Sequence, residues 1–289
     1  MNILVSVDNH YLDKAETMLF SLSLCVKESL HVYLINHSLQ GDEVEAFEKY
    51  ISKNCNAILH EIVLRNTDFD DFPIVKSYYS IEMFYRILAQ FILPDSLDRI
   101  LWLDADLIVM KNISEFYLQS FDGADFVVCP DSNYGTKWIA EHERKLGLPE
   151  NHVYFNSGVM LMNLNLLRKG KTTEEIFHLV SSLKDKLKYP DQDILNYIYS
   201  CKVKYCDWKE YNYQMQGKTA IPPADLEHIA ILHYTGDKKP WNYWDINSAS
   251  KYWWRVRAQQ GHKCERAVAY INKIKEMTVL YFRELRSIL

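Results

Sequence analysis

The chain opens with a short apolar run, Asn2–Val7, of the kind that a strand buried on both faces produces. A helical pattern follows over 13–25. His31–Ile35 predicts a second strand, Asp42–Lys53 an amphipathic helix, and Ile58–Val63 a third strand. Ile81–Phe91 has helical spacing and runs into Leu93-Pro94, where proline stops a helix. Arg99–Leu103 and Phe126–Cys129 read as two further buried strands. This alternation predicts an α/β fold with a mostly parallel sheet and helices on both faces. Ligands on such sheets sit at the carboxyl ends of the strands. The second half is less regular. Val159–Asn163 reads as a strand, and Thr172-Thr173-Glu174-Glu175 as a capping box opening a helix to about Leu187. Tyr189-Pro190 breaks that helix, Asp191–Tyr199 resumes it, and Ile229–Tyr234 is a last strand before a turn around Gly236 and Pro240.

Two carboxylates, Asp104 and Asp106, interrupt the apolar stretch 99–109. Charges are not buried without partners, so the pair must lie at a strand end or meet a cation. In extended chain, residues two apart point to the same side and can converge on one ion. Hard oxygen ligands suit Mg²⁺ or Mn²⁺, which bridge diphosphates. The alternative is a strand-end pair that caps a turn. Late in the chain, His233 ends an apolar strand, with Gly236, Lys239, Pro240 and Trp241 following. A histidine for a metal and a lysine for a phosphate would suit a departing diphosphate, against a core-edge histidine with surface lysines. Asp191-Gln192-Asp193 offers acceptors for sugar hydroxyls, or a plain helix N-cap. Asn156-Ser157-Gly158 reads as a polar turn between apolar residues.

Composition narrows the choice. Nine glycines are scattered, with neither a GxGxxG nor a Walker loop, so any diphosphate must be neutralised by something else. That points to a metal. A net charge of −5 gives no case for a nucleic-acid binder. From Lys251 onward nine basic side chains face three acidic ones. This tail reads either as a basic amphipathic surface for an anionic membrane or as a helix packed on the catalytic domain. Six scattered cysteines without a CxxC pair suit reduced thiols. Met1–Val7 has no basic residue before Asp8, which predicts no secretory signal and a cytoplasmic protein, peripheral at most on the inner face of the membrane.

Together these segments resemble the family 8 retaining glycosyltransferases, which include bacterial lipopolysaccharide galactosyl- and glucosyltransferases and, more distantly, glycogenin. The resemblance rests on Asp104-Ala-Asp106, Phe155-Asn156-Ser157-Gly158-Val159, Asp191-Gln192-Asp193 and His233-x-x-Gly236-x-x-Lys239-Pro240-Trp241, in that order. It implies a GT-A fold over 1–245, with a donor-binding half to about 130, an acceptor-binding half from 131, and a basic helical tail over 246–289. It implies Mn²⁺, with Mg²⁺ as the alternative, on Asp104, Asp106 and His233. The donor would be a UDP-hexose and the acceptor a glycan or glycolipid hydroxyl. Asp8 and Tyr11 match uracil contacts, and Gly236 and Lys239 match diphosphate contacts. Arg86, Asp131, Asn156, Ser157, Asp191 and Gln192 match the sugar and ribose side, with Asp191, Gln192 and Lys239 nearest the chemistry. Two positions depart: His10 stands where relatives often carry asparagine near the ribose, and Met83 where a small hydroxyl residue is frequent. Competing readings are a nucleotide-sugar binder without turnover, a self-glucosylating enzyme, and a nucleotidyltransferase, whose basic glycine-rich loop is missing near Asp8.

Overall fold

The computed structural model describes residues 1–64, 84–242, 248–267, 271, 274, 275 and 278. The first half runs β1 (Asn2–Val5), α1 (Leu12–Cys25), β2 (Leu30–Asn36), α2 (Gly41–Asn54), β3 (Ala57–Val63), α3 (Tyr85–Ile92), β4 (Arg99–Leu103), β5 (Leu107–Val109), α4 (Ser114–Tyr117) and β6 (Phe126–Pro130). Then come α5 (Lys137–Leu146), β7 (Phe155–Asn163), α6 (Leu164–Leu167), α7 (Thr173–Leu183), α8 (Pro190–Tyr199), β8 (Val203–Tyr205) and α9 (Trp208–Tyr211). The last elements are β9 (Tyr213–Gln214), α10 (Pro223–Leu226), β10 (Ile231–His233) and α11 (Ser250–Gln259). Contacts divide the chain into two compact units. The first holds Met1–Gln214 and His228–His233, and the second Met215–Glu227 and the chain from Tyr234.

Both sheets belong to the first unit. The larger has seven strands in the order β3-β2-β1-β4-β7-β6-β8, parallel except that β7 runs antiparallel to β4 and β6. Strand alternation sorts its side chains into two cores. Leu4, Ile100, Trp102, Val128 and Met160 pack on one face with α3, α5, α7 and α8. Ile3, Val5, Leu101, Leu103 and Val127 pack on the other with α1 and α2. Burial on both faces is why these strands read as unbroken apolar runs. The chain winds outwards from β1 to β3, then crosses back to place β4 on the other side of β1. That reversal is the switch point where open α/β sheets bind ligands.

One edge of the sheet therefore collects the site. Asp8 follows the C-terminal end of β1, Asp104 that of β4 and Asp131 that of β6, while antiparallel β7 brings Asn156 and Ser157 to the same edge from its N-terminal end. The smaller sheet, β5-β10-β9, brings His233 opposite Leu107.

Three expectations change. Asp104 and Asp106 lie just past a strand end, as expected, but not in extended chain: β4 stops at Leu103, and the two residues form the turn into β5. Asn156-Ser157-Gly158 is not a turn but part of β7, where the register to β6 jumps from Val128↔Met160 to Cys129↔Asn156. The bulge lets polar residues occupy a strand without filling the core. The capping box at Thr172 and Glu175 forms as expected, but its helix ends at Leu183 and a 3-10 turn covers Lys184–Lys186. Met83, the start of the helix expected from Ile81, and most of the tail beyond 267 lie outside the described residues.

In the second unit α11 is held to the segment that follows β10. The Tyr234 hydroxyl donates to the Ala249 carbonyl at 2.8 Å, the Trp254 indole to the Pro240 carbonyl at 2.9 Å, and Trp241 stands 4.9 Å from Trp253.

One side chain ties the end of α3 to the start of β4. Arg168 donates to the carbonyls of Gln90, Leu93, Pro94, Asp95 and Leu97, at 2.7 Å in the shortest case. Most of these carbonyls belong to the helix end and the loop after it, where intrahelical donors run out; the Pro94 carbonyl also accepts the Leu97 N–H at 3.1 Å. Arg168→Ala should cost about 2–3 kcal/mol, since bonds to a charged donor carry more than neutral ones, and thermal denaturation would register it. Arg168→Lys should recover little, because an ammonium cannot span the five acceptors. A midpoint unchanged in the alanine variant would refute the tie.

Candidate metal and sugar-donor site

Asp104, Asp106 and His233 each present a ligand atom, and these atoms lie within 4.8 Å of one another. His233 Nε2 is 3.0 Å from Asp106 Oδ1 and 3.8 Å from Asp104 Oδ2. The turn after β4 supplies the carboxylates, and the antiparallel pairing of β10 with β5 supplies the imidazole. Gly158 makes the room. A Cβ there would sit 2.2 Å from His233 Cε1 and 2.7 Å from Asp104 Oδ2. The requirement is for space, as this glycine is not at a positive φ.

The donor set fits a divalent cation, and the reason is the direction of a hydrogen-bond chain. The Ser157 backbone N–H donates to Gln192 Oε1 at 3.1 Å and the Gly158 N–H to Asn156 Oδ1 at 3.0 Å. Those two donors fix both amides. Gln192 Nε2 must donate to Asp131 Oδ2, at 3.1 Å, and Asn156 Nδ2 to Gln192 Oε1, at 3.0 Å. Asn212 Nδ2 then donates to Asn156 Oδ1 at 2.9 Å, so Asn212 Oδ1 is left to accept from His233 Nδ1, also at 2.9 Å. With Nδ1 carrying its hydrogen, Nε2 is the ring nitrogen that faces the two carboxylates. Three electron-pair donors face one another, and a cation or a proton must stand among them. An oxygen acceptor on the second ring nitrogen that fixes the tautomer of a ligating histidine is a common outer-shell device, and here an amide oxygen takes that place.

A second cluster borders the first. Arg86, buried on α3, reaches Asp104 Oδ1 at 2.9 Å and Asp191 Oδ2 at 3.2 Å, and donates to the Ser157 carbonyl at 2.9 Å. Its guanidinium lies 4.2 Å from the centre of the Trp102 ring, whose indole N–H donates to Asp104 Oδ1 at 2.8 Å. Ser157 Oγ donates to Asp191 Oδ2 at 3.0 Å. Burial pushes the Asp191 carboxyl above its ordinary range; Arg86 opposes this, and the negative charge of Asp104 adds to it.

Asp193 is not part of the open site. Its Oδ1 accepts from His142 Nε2, at 2.7 Å, and from the Tyr154 hydroxyl; its Oδ2 accepts from the backbone N–H groups of Lys188 and Tyr189. It is fully buried and pins the first turn of α8, from which Asp191 and Gln192 project.

The expected residues thus fall into groups. Asp104, Asp106 and His233 converge, and Arg86, Asp131, Asn156, Ser157, Asp191 and Gln192 form the bonded network beside them. Asp8, His10 and Tyr11 lie between β1 and α1, where Asp8 Oδ1 accepts the Tyr11 backbone N–H at 3.1 Å and Tyr11 is 37% exposed. Gly236 and Lys239 lie in the second unit; Gly236 has φ +83, and Lys239 Nζ donates to the Tyr234 carbonyl at 2.9 Å. Trp102, Gly158 and Asn212 were not foreseen as site residues. Gly158 alone had a signal, as an isolated glycine in a strand.

Comparison with known proteins agrees with this geometry. The profile of Glycosyl transferase family 8 matches residues 2–245, and the chain belongs to that family. It is 28% identical to a lipopolysaccharide 1,2-glucosyltransferase of Escherichia coli strain K12 over 88% of this chain and 76% of the relative. It is 23% identical to a lipopolysaccharide 1,3-galactosyltransferase of Salmonella typhimurium strain LT2, over 89% of this chain and 77% of the relative. Among solved structures, the galactosyltransferase LgtC, in complex with donor and acceptor sugar analogues, superposes with a TM-score of 0.76 at 20% identity, covering 90% of this chain and 96% of that one. The fold is the GT-A type, and the chain is a glycosyltransferase.

Two variants test the site without any sugar. If the cluster holds a divalent cation, Gly158→Ala should abolish its binding in calorimetry with Mn²⁺ as the probe, because the added methyl overlaps His233 and Asp104. Asn212→Ala should fold and weaken Mn²⁺ by about 10–100-fold, the usual cost of losing an outer-shell partner. Unchanged affinity in Asn212→Ala would break the proposed control of the His233 tautomer.

Proposed function

We propose that this chain transfers a hexose, galactose or glucose, from a UDP-sugar to a hydroxyl of a glycan or lipopolysaccharide acceptor, with retention at the anomeric carbon. The observation that carries the reading is the convergence of Asp104, Asp106 and His233 beside the Arg86–Asp191–Gln192 network in a family 8 chain. The names of the relatives support the acceptor class. Asp104, Asp106 and His233 would hold Mn²⁺, or Mg²⁺, which when bound offsets charge gathering on a departing diphosphate. By the family resemblance, Asp8 and Tyr11 take the uracil, and Gly236 and Lys239 the diphosphate. Arg86, Asp131, Asn156, Ser157, Asp191 and Gln192 take the sugar and ribose.

Retention requires either a covalent intermediate on a protein carboxylate or attack from the face the diphosphate leaves. Asp193 has both oxygens filled by four donors, and Asp191 Oδ2 is held by Arg86 and Ser157. Gln192 is an amide and a poor nucleophile. These facts favour front-side attack. Gln192 and Asp191 then orient the sugar, and the acceptor proton passes to the leaving phosphate oxygen. A cytoplasmic site, with the basic tail resting on an anionic membrane, would suit a lipid-linked acceptor. Among the described residues no helix is long and apolar enough to cross a membrane.

Purified protein incubated with a panel of UDP-sugars and Mn²⁺ should release UDP with a UDP-hexose in preference to UDP-GlcNAc. Asp104→Asn and Asp106→Asn should each lose turnover, as should the unaltered enzyme in excess EDTA. Full activity in either variant would sink the metal assignment.

Lys239 and Gln192 should separate kinetically. Lys239→Ala should lower turnover by about 10²-fold with a small effect on UDP binding, the pattern of an interaction that strengthens in the transition state. Gln192→Ala should slow the reaction moderately and keep retention of configuration. A glycosyl adduct on Asp191 or Asp193, seen by intact mass, would defeat the front-side route.

A further inference from the structure

Two thiols outside the site face each other. Cys129 Sγ and Cys206 Sγ are 3.2 Å apart. Cys129 lies near the end of β6 and Cys206 just beyond β8, and the two strands are parallel neighbours with Val128 opposite Tyr205. One further step along that register sets Cys129 opposite Cys206, and the Cys206 N–H still donates to the Val128 carbonyl at 2.9 Å. Neighbouring strands stand about 4.8 Å apart, within the Cα separation of about 4.4–6.8 Å that a disulfide spans. Residues opposite in register project to the same side of the sheet. Of the other four cysteines, Cys201 and Cys264 are exposed, Cys25 is half-buried and Cys55 is buried.

We infer that Cys129 and Cys206 form a dithiol oxidation site, closed to a reversible disulfide by hydrogen peroxide, and that closure lowers glycosyl transfer. Cys206 is half-buried and Cys129 fully buried, so the oxidant meets Cys206 first. The Cys206 thiolate attacks one peroxide oxygen, the O–O bond breaks and water leaves, giving a sulfenic acid. Cys129 sulfur then displaces the sulfenic oxygen as a second water, so two thiols are oxidised and one peroxide is reduced. Burial pushes the Cys129 thiol well above its ordinary range, which disfavours it as the first nucleophile, and its proton leaves with the sulfenic oxygen as water.

The pair adjoins members of the hydrogen-bond chain in sequence and register. Cys129 is two residues before Asp131 and pairs with Asn156. Cys206 precedes Asp207, whose side chain accepts the Lys209 N–H at 2.9 Å and caps α9; Asn212 is the residue that follows that helix. Bond formation must draw the sulfurs from 3.2 Å to about 2.05 Å. The bond ties the segment leading to Asp131 to the one leading to Asn212, and small misplacements passed to a transfer site cost rate steeply.

The test uses the full chain with Cys201→Ser and Cys264→Ser, which removes the exposed thiols. After treatment with hydrogen peroxide, denaturing alkylation and trypsin, peptide 205–209 should be joined to peptide 112–137, two hydrogens lighter than their sum. Cys25 and Cys55 should be alkylated, and dithiothreitol should undo the link. UDP release should fall in proportion to the linked fraction and return on reduction, while a further Cys206→Ser change should leave turnover insensitive to the same dose. Oxidation of Cys206 to sulfinic acid without a link, or a link to another thiol, overturns the site. A full link with undiminished turnover overturns its coupling to transfer. If the reduced protein shows no turnover, the enzymatic reading has failed, whereas the peptide masses still decide the dithiol.

Discussion

The site depends on two backbone N–H groups, those of Ser157 and Gly158. Amide side chains can be turned end for end, so a chain of three amides has several arrangements of similar shape. The bulge in β7 selects one. Its N–H groups can only donate, which makes Gln192 Oε1 and Asn156 Oδ1 acceptors and sets the sense of every bond from Asp131 to His233. The result at the far end is an imidazole whose Nε2 faces Asp104 and Asp106. A buried polar network of this kind favours a unique structure only when every member is satisfied. Asp131, at the other end, also accepts twice from Asn133, so the chain is closed.

The same bulge explains how a charged site can sit on an apolar sheet. Arg86 is buried, and so is Asp191, yet each has opposite charge or a hydrogen donor within reach. Removing one member would leave the others buried and unpaired, which costs far more than the pair contributes. Asp193 completes the arrangement from below. By accepting from Lys188 and Tyr189 it closes the first turn of α8, and His142 and Tyr154 hold it from α5 and from the segment before β7.

Much of the fold was legible because strands buried on both faces leave unbroken apolar runs, as at Ile100–Leu103. In the smaller sheet only β10 was legible, within the strand read over Ile229–Tyr234; β5 and β9 have three and two residues and show no period. Asp104, Asp106 and His233 stood out because charge and imidazole interrupt apolar sequence. They converge through a turn rather than along a strand, and the sequence argument from alternation reached the right residues by the wrong geometry. Asn156-Ser157-Gly158 looked like a turn because polar residues with glycine usually are one; only the register jump between β6 and β7 makes them strand. Asn212 sits between two tyrosines with nothing to mark it. Its importance comes from a partner 21 positions away.

Trp102 shares Asp104 with Arg86, giving its indole N–H to the carboxylate and its ring face to the guanidinium. An aromatic placed so is sensitive to the local field. Any change in the charge shared by Asp104 alters the electrostatics felt by that one indole while leaving its burial untouched. The chain therefore carries an intrinsic optical probe of its own binding site, built from the residue that anchors the core beneath it.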